Sequence, residues 1–151
     1  MMPARWRLIV AASLFAGWIG YLAYLAATTR HPVVLSRPQF LISNLDVIAE
    51  VEIADGAPHL TVTKVHWPPQ DAAEFEGKAI TLTTVLRDCP GWQGPGTYIL
   101  PLMRDAKGSY QVAPIPPSPG YEDHKRPIYP ATSEAQQQLD TIPKPEAANL
   151  P

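Results

Sequence analysis

Apolar and polar positions along this chain change their period twice. From Leu8 to Ala27, twenty residues run without a charge, Asn, Gln or Pro. At about 1.5 Å rise per residue a helix of that length extends about 30 Å, the thickness of a bilayer's hydrocarbon core. Between residues 33 and 114 the period becomes two. Val47, Ala49, Val51 and Ile53 alternate with Asp46, Glu50 and Glu52, which predicts a strand with one buried and one wet face. Leu60–Trp67, Ala79–Arg87, Thr97–Arg104 and Tyr110–Ile115 complete five predicted strands, with Val33–Leu35 and Phe40–Ile42 as a short edge segment. Asp55-Gly56, Gly94-Pro95-Gly96 and Asp105 to Ser109 supply the turns, and Asp71–Phe75 fits a helical turn in the longest insertion.

After Ile115 the pattern changes again. Nine of the eighteen prolines fall in residues 114–151, and proline cannot donate to a sheet ladder. Within this part, Ser133 with Gln136 forms a capping-box pattern. Ala135, Leu139 and Ile142 share one helical face, and Pro143 follows as a stop. The sequence therefore predicts a mainly β protein in three parts. They are a single N-terminal transmembrane helix over residues 1–30, a small five-stranded OB-like β-barrel over 31–115, and a Pro-rich tail over 116–151. The tail carries one short helix at about 133–142 and a disordered end from about Lys144.

A cleaved signal peptide competes with a retained anchor for the apolar run. Signal peptides have a shorter apolar region, about 7–15 residues, ending in a small-x-small site. Here the run ends Tyr24-Leu25-Ala26-Ala27, which places Tyr24 or Leu25 where a small residue is needed. A retained signal-anchor is expected. Arg5, Arg7 and the α-amino group outweigh Arg30 and Arg37 across the run, which puts the N-terminus inside and the bulk of the chain in the periplasm or at the cell surface. Along one helix face lie Ala12, Ala16, Gly20, Ala23 and Ala27. Small residues four apart let two helix backbones approach closely in lipid, so self-association or a protein partner is expected there.

Composition narrows the chemistry. Beyond residue 30 stand nine basic against fourteen acidic residues, a formal charge of −5. An acidic body without a Lys/Arg cluster is unsuited to nucleic acid, whose affinity comes mainly from neutralised phosphates. The single cysteine, Cys89, excludes an internal disulfide and a thiolate zinc cluster, and its expected role is as a small buried apolar residue.

The order of strands and turns resembles the netrin-module and metalloproteinase-inhibitor branch of the OB-fold. The residues that carry the resemblance are Val47–Ile53, Val62–Val65, Gly77–Val85, Cys89, Gly96–Leu102 and Tyr110, within about residues 45–115. The resemblance implies a barrel and supplies no activity, because the branch's disulfides and the inhibitors' N-terminal cysteine have no counterpart here. Membership of a bacterial family of membrane-anchored β-domains is the corresponding expectation.

No catalytic, cofactor-binding or metal-binding residues are expected. His59 and His66 lie seven apart on one predicted strand, a spacing that points them to opposite faces. Glu50 and Glu52 share a strand face, and paired carboxylates serve acid–base chemistry. They carry the alternative reading, a small extracytoplasmic hydrolase or transferase using Glu50, Glu52 or a histidine. The main reading is a non-enzymatic module. Trp67, Trp92 and Tyr98, near loop ends beside proline and glycine, make a candidate binding rim for peptide or saccharide.

Overall fold

The computed structural model describes residues 4–28, 33–55, 57–120 and 124–144. The chain divides into two compact units, Met1–Pro32 and Val33–Pro151. The first contains α1 (Ala4–Thr28), in which Leu8–Ala26 is long and apolar enough to cross a membrane. The side chains from Leu8 to Ala26 are exposed, with Trp18 and Tyr21 in ring contact one turn apart (6.2 Å). Of the small-residue face, Ala12, Ala16, Gly20 and Ala23 lie among these; Ala27 belongs to α1, but its side chain lies outside the described residues.

In the second unit a short helix, α2 (Arg37–Ile42), precedes strands β1 (Leu45–Ala54) and β2 (Ala57–Trp67). A helical turn, α3 (Ala72–Phe75), then leads to β3 (Gly96–Arg104), β4 (Tyr110–Val112), β5 (Tyr129–Pro130) and α4 (Ser133–Asp140). The sheet is antiparallel, five-stranded and open. It runs β2-β1-β3-β4, and β5 pairs with β3 beside β4, at Tyr98 and Ile99. Alternation along β1 sends Val47, Ala49 and Val51 to one face, where they meet Leu60, Val62, Leu100 and Leu102 in the larger core. The opposite face carries Ile48 and Ile99, covered by Leu35, Phe40, Tyr129, Ala135, Leu139 and Ile142.

Three elements depart from the sequence reading. Ala79–Arg87 is not a strand. Its backbone divides its bonds between two edges: Ile80 N donates to Leu60 O (3.1 Å) and Thr83 N to Tyr110 O (2.9 Å), leaving two isolated bridges, Thr61–Ala79 and Leu82–Tyr110. Ile80, Leu82 and Leu86 still pack on the larger core, which accounts for the strand-like pattern. The expected edge segment Phe40–Ile42 is helical, because Pro38 sits in the first turn, where its missing N–H is not needed. Finally, Thr132 rather than Ser133 caps α4, accepting from Ala135 N at 3.2 Å. The expected inward face, Ala135, Leu139 and Ile142, is buried.

A register shift between Ile48 and Ala49 inserts an extra residue into β2. Thr63 answers the disruption by donating its hydroxyl to Ile48 O (2.8 Å). The bulge also reverses the alternation. His59, opposite Glu52, and His66, 3.6 Å from Asp140, therefore lie on the same side of the sheet, not on opposite faces.

Candidate functional site

The most chemically loaded cluster forms where β1 begins. Asp46 alternates with Leu45 and Val47, so its side chain points to the face covered by the helices, and there it is fully buried. Burying a carboxylate is costly unless charge and hydrogen bonds compensate. Both are supplied. Ser43, just past α2, donates to Oδ1 at 2.5 Å, and the Lys144 ammonium closes on Oδ2 as an ion pair. Oδ2 has that charge partner and no hydrogen-bond partner among the described residues. Burial pushes the Asp46 carboxyl above its usual range, and Lys144 and Ser43 pull it back only in part.

Lys144 donates to the Phe40 carbonyl and to Ser43 Oγ (3.0 Å), and its ammonium lies 4.8 Å from the Trp67 ring centroid. Two of its three donors thus meet Ser43 and Phe40, while its charge faces Asp46. A serine 3.0 Å from a lysine resembles a nucleophile–base pair. Here the Asp46 carboxylate and the Phe40 carbonyl (2.8 Å) both accept from the one hydroxyl proton, and the ammonium is held in its charged form by Asp46, so the geometry fits a clasp rather than a reacting centre. Of the disordered end expected from about Lys144, Lys144 itself is held in place. Residues 145–151 lie outside the described ones.

Two glutamines extend the clasp. Gln39, fully buried, donates to Ala113 O (2.6 Å) and Pro127 O (3.0 Å) and accepts from the Tyr129 hydroxyl (2.7 Å). Gln138 of α4 accepts from Leu35 N (3.1 Å) and donates to Val33 O (2.8 Å), pairing with backbone as a neighbouring strand would. These residues, Asp46 and Lys144 included, were not singled out from the sequence, where no local pattern marks them.

The candidate rim falls on both sides of the sheet. Trp92 stacks on Tyr98 (5.5 Å, 15° between planes) against the larger core, while the Tyr98 hydroxyl bonds Gln93 N and Gly94 O. Trp67, opposite Asp46, stands on the other face beneath Lys144. Gly91 makes the Trp92 loop possible. Its φ is +93°, and a Cβ there would lie 2.0 Å from the Ile128 carbonyl oxygen.

Glu50 and Glu52 are exposed, facing Thr61 and His59 across the strands. A hollow of about 440 Å³ brings Asp88, Cys89 and His124 together. Burial pushes the Cys89 thiol up to about 11, and its Sγ lies 3.5 Å from Val85 O, the environment of a packing cysteine. An open groove of about 430 Å³ lies between Phe75, Ile80 and Tyr110, whose rings Phe75 and Tyr110 meet edge-on at 5.8 Å. Among the described residues no group of three His, Cys, Asp or Glu side chains is placed to hold a metal ion. Compared with known proteins, the chain matches no family model, no curated protein and no solved structure.

Proposed function

We propose that this chain is a non-enzymatic, single-pass membrane protein with a cytoplasmic N-terminus. Its sheet unit stands outside the cytoplasm and serves as an interaction module or accessory subunit of a membrane assembly. The observation that carries this reading is α1 itself, apolar over Leu8–Ala26 with its side chains exposed, a surface that only lipid or other apolar helices satisfy. The small residues Ala12, Ala16, Gly20, Ala23 and Ala27 are the proposed packing face for a partner or a second copy. Half-buried Trp92 is the proposed contact for an extracytoplasmic ligand, with Trp67 as a separate contact on the other face; Tyr98, only 2% exposed, backs Trp92 from within the core and is not itself a contact. The charge-paired Asp46–Ser43–Lys144 clasp supports a structural rather than a catalytic use of the chain's most reactive grouping.

The finer fold reading, an OB-like barrel of netrin-module kind in a bacterial family of anchored β-domains, also stands as a proposal. It draws support from the segment Ala79–Leu82, which bridges to β2 at Thr61 and to β4 at Tyr110. The enzymatic alternative rests on Glu52, which the register sets opposite His59 on an exposed stretch of sheet.

Extraction of the full chain from membranes in mild detergent, followed by sizing, tests the main reading. A species larger than the monomer is expected, reduced to monomer by Ala16→Leu with Gly20→Leu. A clean monomer that copurifies with nothing overturns it.

A further inference from the structure

The helix α2 has an outward face as apolar as its inward one. At helical spacing, Gln39, Phe40 and the following Ser43 turn inward and are buried, whereas Arg37, Pro38, Leu41 and Ile42 turn outward. Leu41 is 52% exposed and Ile42 37%, and Val34 just before the helix is 72% exposed. Among the described residues of the Val33–Pro151 unit, five large apolar side chains are exposed, and these three fall within its first ten residues. The inward face is firmly held: the Gln39 bonds fix α2, and Gln138 holds Val33 and Leu35. Leu41 and Ile42 are therefore presented on a backbone that has no freedom to turn them inside.

We propose that this outward face, Val34, Arg37, Pro38, Leu41 and Ile42, lies in the headgroup layer of the bilayer that α1 spans. The inference rests on the membrane reading above and adds a second contact to it. Three observations select lipid as the occupant. Only residues 29–32 separate α1 from Val33, and an extended chain of that length reaches no farther than about 18 Å, so lipid is present at high effective concentration. No acidic residue occurs before Asp46, and Arg37 is the only charged residue from Val33 to Leu45. The face therefore escapes the repulsion that the acidic remainder of the unit meets at anionic lipid. Aliphatic side chains flanked by a single arginine match the boundary between acyl chains and headgroups, where the apolar part inserts and the cation stays wet.

The test uses the full chain in vesicles of phosphatidylcholine with phosphatidylglycerol, some of the lipid carrying a doxyl quencher near the headgroup or deep in the acyl chain. A bimane label is placed by Leu41→Cys, by Lys107→Cys on the exposed hairpin tip, and by Leu14→Cys in the middle of α1; buried Cys89 stays in place, and the unsubstituted chain measures its background labelling. The expected result is quenching of about twofold at position 41 by the shallow quencher, none at 107, and quenching at 14 by the deep one. The proposal is overturned if position 41 is quenched no more than 107 while 14 is quenched. It is overturned in favour of a contact between copies if position 41 instead shows label–label transfer that disappears on dilution with unlabelled chain. Absence of quenching at 14 removes the membrane reading itself, and this proposal with it. Leu41→Ser with Ile42→Ser, read from a label at Val34→Cys, should abolish quenching while leaving the sheet's circular dichroism unchanged.

Discussion

The two faces of the sheet are closed by different means. On the larger-core side, Val47, Ala49, Val51, Val62, Leu100 and Leu102 meet apolar side chains from the loops, and burial of apolar area is the dominant attraction. The other side is also apolar near Ile48 and Ile99, but its cover is fastened by polar side chains joining distant parts of the chain. Gln39 reaches Ala113 and Pro127, Gln138 reaches Val33 and Leu35, and Lys144 reaches Asp46 and Phe40. Apolar contact tolerates small shifts because it has no direction. A buried polar tie is satisfied in one geometry and costly in any other. The first face thus supplies bulk stability, and the second fixes where α2, α4 and the segment Val33–Leu35 sit on the sheet.

The sharpest way to break this contrast is to remove the charge that answers Asp46. Lys144→Met leaves a buried carboxylate unpaired and should destabilise the fold by about 3–5 kcal/mol, read from urea unfolding of the detergent-solubilised chain. Adding Asp46→Leu should restore stability to the starting value or above it by about 1–4 kcal/mol, because an apolar pair carries no desolvation penalty. If the single substitution costs nothing, the clasp is not a fastening and the two faces are alike.

Gln138→Ala ranks next. It frees one donor, Leu35 N, and one acceptor, Val33 O, at a partly buried place, for about 1–3 kcal/mol. Unlike a core truncation, it should act locally. Amide exchange at Leu35 should accelerate to near the rate of an open chain, while exchange at Leu100 in β3 slows or quickens only with global stability. Equal acceleration at both positions would show that the second face unfolds only together with the first.

How much of this was legible in the sequence follows the same divide. The alternation of Val47, Ala49 and Val51 locates β1 because a strand buried on one face must repeat every second residue, and the Ala135, Leu139, Ile142 stripe locates α4 for the corresponding helical reason. Patterns of apolar residues report burial and not pairing, which is why Ile80, Leu82 and Leu86 read as a strand although their backbone has no continuous partner. Asp46 reads as one more wet residue beside Glu50 and Glu52, since nothing adjacent to it announces a lysine 98 positions later in the chain. The register shifts at Thr63 and at His66 are equally silent, and the one at Thr63 reverses the expected orientation of His59 relative to His66. The aromatic residues were visible as individuals. Their division between faces, Trp92 with Tyr98 on one and Trp67 on the other, depends on register.

The smallest expected effect sharpens the contrast through pH. Asp46 has its carboxyl raised above the ordinary 3.8, first by burial, against the opposing pull of Lys144, Ser43 and His66. A carboxyl raised on folding binds a proton more readily in the folded chain than in the unfolded one. It therefore contributes stability that is fully present below 3.8 and is lost as pH rises through the raised folded value. Relative to Asp46→Asn, the natural chain should gain stability as pH is lowered from neutral to about 4, seen as a converging or crossing of their urea midpoints. A substitution confined to the larger core, such as Leu100→Ala, should show a pH-independent difference, because no ionisable group changes its surroundings. Should the natural chain instead lose ground to Asp46→Asn on acidification, the attraction of Lys144 would outweigh the cost of burial. The clasp would then be a net source of stability rather than a device that trades stability for a fixed arrangement of the helices.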